Sequence, residues 1–331
     1  MAGYLKPVEI VGGGLAGLAL GVALSRRGVP VTLHEAGEYP RHRVCGEFLS
    51  GVGESTLEAL GIASQLRQAV PLRTAKWFSA HGPVATLDVE ARGISRHLLD
   101  DLLQKEFTKS GGRLLTHSRR GAEGDIVWAA GRPRRRGRWM GLKCHVRGME
   151  LAADLEMHLG TSGYVGLARI EGGEVNVCGL FRVGAGSGGN GALVQSLRAG
   201  GLDHLARRIL AAETDPGSFC AVAGFGFGWQ SAPPFPIGDA AQMIPPFTGN
   251  GMSMAFESAA LALGPLLEFA AGKTTWREAA AAARELQRKA FSRRLGAALV
   301  IQAALDRSPG LVCALARHGC LPTGYLLRLV R

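Results

Sequence analysis

Apolar and polar residues change period several times along the chain, and each change marks an element. Val8 to Val11 is short, apolar and partly β-branched, the pattern of a buried parallel strand. From Leu15 to Arg27 the apolar positions recur at helical spacing, and Gly28 ends the run as a C-terminal cap. Pro30 to His34 reads as a second strand, closed by Glu35. A polar loop rich in Arg and Gly follows, then a helix over residues 52–68 and a hairpin over Trp77–Glu90 turning near His81-Gly82-Pro83. Leu98, Leu99, Leu102, Leu103 and Phe107 form one helical face that Gly111-Gly112 terminates. Strands are expected at 113–116 and 125–129, and turn glycines divide residues 139–181 into runs typical of an antiparallel sheet. Residues 191–212 read as helical. Near residues 235–238 a strand end delivers Gly238-Asp239, a Pro-rich loop reaches Gly249-Asn250-Gly251, and a long helix begins there. The tail from Thr275 is expected to be helical, basic and apolar.

The wedge between the first strand and helix carries the first chemistry. Gly12, Gly14 and Gly17 stand in GxGxxG spacing. The first allows a tight turn, the second leaves room for a pyrophosphate against the backbone, and the third lets the helix pack close to the sheet. Amides at the helix start and the helix dipole then face an anion. Glu35, at the end of the second strand, is placed to accept from ribose hydroxyls and to repel a 2′-phosphate. A dinucleotide site follows from these positions together, without separating a flavin from a nicotinamide.

Charge and cysteines narrow the picture. Lys and Arg number 38 against 27 Asp and Glu, a net charge of +11, which favours anionic partners such as a carrier- or CoA-bound substrate, a diphosphate or a lipid surface. No interleaving of basic and aromatic residues suggests a nucleic-acid module, and Arg132–Arg138 reads as a solvated basic loop. The six cysteines, including Cys45, form no CxxC pair and no metal-ligand spacing, so no metal site is expected and reduced thiols are. No apolar run reaches the ~20 residues of a membrane span, and no signal peptide precedes the first strand, so a cytoplasmic protein, with peripheral membrane contact through the tail as an option, is expected.

The order GxGxxG, an Arg opening a mid-chain helix (Arg96), and GDAA (Gly238 to Ala241) before a Gly-rich helix start resembles the FAD-dependent oxidoreductases of the para-hydroxybenzoate hydroxylase fold. RVCGEFLSG, Arg43 to Gly51, is similar to the loop of geranylgeranyl reductases within that group. The resemblance spans roughly residues 5–270. It implies an α/β fold with an α+β second domain: a Rossmann-like FAD-binding domain (1–70, 91–135 and 221–270), an inserted antiparallel β-sheet substrate domain (71–90 and 136–220) and a helical C-terminal region (271–331). It further implies that Asp239 bonds a ribityl hydroxyl, that Arg43 and Arg96 approach the FAD phosphates or ribityl chain, and that the amides of Gly249, Asn250 and Gly251 face the flavin.

The resemblance places Cys45 near flavin and substrate, as a proton donor or a packing residue. Tyr164 and Met252 are candidates for the substrate pocket, and His145 and His158 are either acid–base groups or sheet histidines satisfied by neighbours. Ala129-Ala130-Gly131 stands where relatives carry an acid in ADG, and Tyr164–Arg169 lacks the tryptophan of reductase and halogenase substrate motifs. With the Cys-Gly-Glu loop, the missing acid favours hydride transfer to or from a C=C bond of an isoprenoid- or polyketide-like small molecule. The alternatives are a monooxygenase using NAD(P)H and O2, and a non-catalytic flavin-binding partner protein.

Overall fold

The computed structural model describes residues 5–133, 137–182, 191–230, 233, 235–318, 320, 324 and 329–330. Part of the basic run at Arg132–Arg138 and part of the expected helical tail therefore lie outside the described residues. The chain opens with β1 (Val8–Val11), α1 (Leu15–Ser25), β2 (Val31–His34), β3 (Phe48–Ser50) and α2 (Glu54–Leu60). The expected hairpin is longer than its apolar core suggested: β4 (Val70–Ser79) and β5 (Gly82–Gly93). Then come α3 (Arg96–Lys109), β6 (Arg113–Leu115), β7 (Ile126–Trp128), β8 (Trp139–Arg147), β9 (Leu155–Leu159), β10 (Gly163–Arg169) and β11 (Val175–Arg182). The remainder is α4 (Ala192–Ala199), α5 (Asp203–Ala211), β12 (Glu213–Ala223), the short pair β13 (Gly228–Trp229) and β14 (Gln242–Met243), α6 (Gly251–Ala270), α7 (Trp276–Arg307) and α8 (Pro309–Arg317).

Two sheets organise these elements. The first is parallel, in the order β6-β2-β1-β7. Phe235–Ile237 extends it beside β7, with the Trp128 amide donating to the Phe235 carbonyl and the Ile237 amide to the Trp128 carbonyl. The second has eight strands in the order β12-β8-β11-β10-β9-β4-β5-β3. It is antiparallel except where β4 runs parallel to β9. That one parallel pair departs from the expected antiparallel sheet. The long path from β5 through α3 to β8 lies between the two strands, and a crossover of that kind permits parallel pairing. β3 also joins this sheet, so the loop carrying Cys45 is tied to it directly.

The core follows the same division. α1 is buried from Leu15 to Leu24 because α3 and α6 enclose it. Leu142, Cys144 and Val146 of β8, with Val165, Leu167, Val175 and Val177, pack against Leu193, Leu197 and Leu205 of α4 and α5. Side chains alternate across a strand, so Lys143, His145, Asn176 and Cys178 are turned to the opposite face, toward the loop before β3. The helical tail begins with a capping box, in which Thr275 and Glu278 each accept from the other's backbone amide. No single described helix is long and apolar enough to cross a membrane; α7 and α8 meet the length and composition requirement only as a pair bent by 107°.

Candidate active site

The site begins at the turn between β1 and α1. Gly12 has φ +109°, and a Cβ there would lie 2.2 Å from the Ala129 carbonyl oxygen. A Cβ on Gly17 would lie 2.0 Å from the Gly12 carbonyl oxygen. Both glycines are therefore required by backbone approach. Gly14 differs: its backbone is extended, and the nearest atom to an added Cβ is an Arg96 guanidinium nitrogen at 3.8 Å. Nothing in the chain itself needs a glycine at that position, which leaves open space above the first amides of α1.

Glu35 reaches back to the same turn. Its oxygens accept from the Gly13 amide at 2.8 Å, the Gly37 amide at 3.0 Å and Arg41 at 3.0 Å. Burial pushes its pKa up, but Arg43, the two amides and Arg41 outweigh that and hold the carboxyl below its ordinary value. The acid expected to meet ribose thus also fixes the glycine turn. Tyr39 adds a hydroxyl that donates to the Gly13 carbonyl at 2.6 Å.

The two arginines meet at one buried acid. Arg96 holds Asp100 through two hydrogen bonds of 2.7 and 2.8 Å, and Arg43 holds it at 2.8 Å. Asp100, one turn along α3, orients both guanidinium groups toward the glycine turn, and it was not among the residues singled out in the sequence. It lies on α3 beside the apolar residues that dominate that helix face, so periodicity gave it no distinction.

Asp239 lies deep between Arg96 and Arg132 yet stays open to solvent. Burial raises its carboxyl pKa against the pull of the two arginines, and its side chain makes no hydrogen bond within the described residues. Gly238 has φ +61°, and the Ser258 hydroxyl accepts its amide at 2.9 Å. Further on, Gly249 has φ +70° and lies under the Phe48 ring, which an added Cβ would meet at 2.2 Å. Asn250 is buried and its amide group donates to the Val330 carbonyl. A Cβ on Gly251 would meet nothing within 4 Å, so the first turn of α6 faces open space with its unpaired amides.

Cys45 lies between these parts. Asn176 donates to its carbonyl at 3.0 Å, and its sulfur accepts from the Glu47 amide at 3.4 Å. Burial raises the thiol pKa despite the nearby Arg96, so the group is a protonated thiol at neutral pH rather than a nucleophile. Tyr164 is buried; its hydroxyl accepts from the Phe247 amide at 3.2 Å and its ring packs edge-on against Phe247. Met252 is buried in the core cluster that includes α1. His158 belongs to a separate buried group, where it bonds Glu156 at 2.8 Å and stacks on Phe78. His145 instead bonds Glu47 at 2.5 Å, close to Cys45. Among the described residues no group of three or more His, Cys, Asp or Glu side chains could hold a metal ion.

The open strip running past Gly14, Arg96, Asp239 and Gly251 has the chemistry of a dinucleotide cradle. Residues 10–46 match the family model described as an NAD(P)-binding Rossmann-like domain. Among solved structures, the chain is similar to PqsL, a probable FAD-dependent monooxygenase from Pseudomonas aeruginosa, at 14% identity and TM-score 0.72, covering 95% of this chain and 98% of that one. It is similar to the flavin-dependent brominase Bmp2 at 17% identity and TM-score 0.74, covering 98% and 93%. It is similar to 2-methyl-3-hydroxypyridine-5-carboxylic acid oxygenase at 18% identity and TM-score 0.68, covering 95% and 96%. No curated protein sequence matches. The fold is that of the FAD-dependent monooxygenases, with a Rossmann-like nucleotide domain, a large second sheet and a helical C-terminal region.

Proposed function

We propose that the chain is an FAD-dependent oxidoreductase, and that its reaction is a monooxygenation driven by NAD(P)H and O2. The observation that carries the flavin reading is the open strip from Gly14 to Gly251. A glycine no described neighbour requires, an exposed carboxylate that makes no hydrogen bond among the described residues and a helix start with free amides lie along it. The pyrophosphate would meet Gly14 and the α1 amides, Asp239 would take a ribityl hydroxyl, and the α6 dipole would favour negative charge on the ring. Arg96 and Arg43, locked by Asp100, would supply positive charge to the phosphates. The bound flavin would supply the redox chemistry. The chain's own residues would bind it and hold Cys45 as a neutral thiol.

The shared fold with two oxygenases and a brominase favours oxygen chemistry over hydride transfer to a C=C bond. The Cys45-Gly46-Glu47 loop supports that second reading, with a reductase like those acting on isoprenoids. A non-catalytic flavin-binding role is the third. The substrate of either enzyme is proposed to be a hydrophobic small molecule, which the net charge of +11 would favour as a carrier- or CoA-bound form.

Anaerobic addition of NADPH or NADH to the FAD-loaded protein, followed by air, separates the three. Bleaching followed by rapid reoxidation, faster with substrate, supports the monooxygenase. Bleaching with slow reoxidation by air but fast reoxidation by an alkene supports the reductase. No bleaching with either nucleotide overturns both as written.

A further inference from the structure

Lys143 and His145, on the face of the eight-stranded sheet turned toward Cys45, belong to a row of titratable side chains that flavin binding does not use, completed by Glu174 before β11 and by His42 and Glu47 of the loop before β3. Glu174 Oε2 lies 3.3 Å from His145 Nδ1, and His145 Nε2 lies 2.5 Å from Glu47 Oε2. Glu47 Oε1 lies 3.2 Å from Lys143 Nζ, which lies 3.0 Å from His42 Nδ1. The side chains of Glu47 and Lys143 are fully buried. At one end Glu174 and His145 line a solvent pocket of about 350 Å³ together with Arg147, Glu213 and Asp215. At the other end the half-buried His42 ring stacks on His97 at 4.4 Å, on the loop that leads to Arg43 and Cys45.

We propose that Glu174, His145, Glu47, Lys143 and His42 form a proton relay joining that pocket to the half-buried His42 ring on the loop beside Cys45. A simple buried ion pair would need one acid and one base, and its desolvation cost disfavours adding more. Here five groups follow one another without a gap. Glu47 is kept in the row at a cost: its φ is +55°, a left-handed backbone for a residue with a side chain. The groups around the row fix its polarity. The Arg96 amide donates to Glu47 Oε1, Arg147 holds the other oxygen of Glu174, and Ser218 accepts the His145 amide. Burial and Lys143 depress the His42 pKa to about 4, against the smaller opposite pull of Glu47, so its ring is neutral and able to accept.

One transfer is balanced as follows. A proton from the pocket reaches His145 Nδ1 by way of Glu174, and the ring releases its Nε2 proton to Glu47. Lys143 passes an ammonium proton to His42 Nδ1 and regains one from Glu47 once the protonated carboxyl has rotated to present that proton to Nζ. His42 releases its Nε2 proton to an acceptor on the Cys45 side of the loop. One proton has crossed, every group keeps its charge, and each imidazole has changed from the Nε2–H to the Nδ1–H tautomer. The use of the relay rests on the oxidoreductase reading, because oxygenation with NAD(P)H and hydride reduction of a C=C bond each consume one proton per turnover.

Two measurements test it. In the flavin-free protein with 15N-labelled histidine, a ring N–H proton far downfield, lost in both E47Q and H145Q, is expected from the His145–Glu47 contact. Its absence in the wild type overturns the relay without reference to flavin. In the FAD-loaded protein, photoreduction in weak buffer with a pH indicator should show wild-type proton uptake keeping pace with reduction. In H145Q, with flavin retained, uptake should lag by about tenfold or more, and by less in E174Q, whose residue lies at the pocket edge and endangers folding least. Uptake in H145Q and E174Q as fast as in the wild type overturns the proposal. A protein that binds no FAD refutes the oxidoreductase reading and leaves the resonance test to decide the relay.

Discussion

Gly14→Ala separates what the fold needs from what a ligand needs. The Gly14 backbone is extended, with φ −88° and ψ −172°, so alanine adopts it without strain. An added Cβ comes no closer than 3.8 Å to any neighbour, and that neighbour is the end of the Arg96 side chain. Loss of chain entropy in the unfolded state favours the alanine by about 0.4–1 kcal/mol, and the poorer helix cap costs a similar amount. The flavin-free variant should therefore unfold within about 0.5 kcal/mol of the wild type. Binding is another matter, because a methyl group then stands where a phosphate oxygen must approach the α1 amides. A loss of about 100-fold in affinity corresponds to about 2.7 kcal/mol. At FAD equal to 100 times the wild-type Kd, ligand stabilisation is about 2.7 kcal/mol, and after such a loss it falls to about 0.4 kcal/mol. For a chain of this size that is a thermal shift of roughly 4 °C reduced to below about 1 °C. Melting curves with and without FAD read both quantities. A variant that keeps the full FAD-induced shift would refute the placement of the pyrophosphate at Gly14, and one that is destabilised without FAD would show that the space is not open.

Other expectations follow from the same geometry. Gly12→Ala should destabilise the protein by about 3 kcal/mol or more even without ligand, because the Cβ meets backbone at 2.2 Å on a φ of +109°; urea denaturation checks it. Asp239→Asn should leave the melting temperature of the flavin-free protein unchanged and weaken FAD by about tenfold in a fluorescence titration. Glu156 is held to a pKa of about 2: burial pushes it up, but bonds from His158, Arg208 and the Ala152 amide prevail. A depressed carboxyl contributes stability above its ordinary pKa of 4.5 and loses it on acidification, so about 2 kcal/mol, discounted for solvent screening, should disappear between pH 4.5 and 2. Glu156→Gln should flatten the pH dependence of urea midpoints across that window.

The parts of the fold legible in the sequence are those with local causes. The strand–glycine–helix–strand run from Val8 to His34, the apolar face of α3 and the start of α6 at Gly251 each carry a period or a cap, and each forms where the pattern puts it. The parallel pairing of β4 with β9 depends on partners some 80 residues apart and leaves no local mark. At the candidate site, the glycines and Glu35 carried a motif spacing and Arg43, Arg96 and Asp239 a family resemblance, and the structure places Arg43 and Arg96 on one acid near the glycine turn. Asp100 was hidden in an apolar helix face, and Glu47 was read as part of a Cys-Gly-Glu loop with no role of its own. Lys143 and His145 did carry a signal: they alternate with Leu142, Cys144 and Val146, which marks them as one face of a strand. What they face could not be read, because the answer lies in the loop at residues 42–47, some 100 positions earlier.

The central claim is that the strip from Gly14 to Gly251 holds FAD. The protein should be mixed with excess FAD, passed through gel filtration, and its visible spectrum recorded against its protein absorbance. The account predicts retained flavin bands at about one FAD per chain, and their loss in Gly14→Ala. A wild-type protein that emerges colourless, folded and without flavin would contradict it.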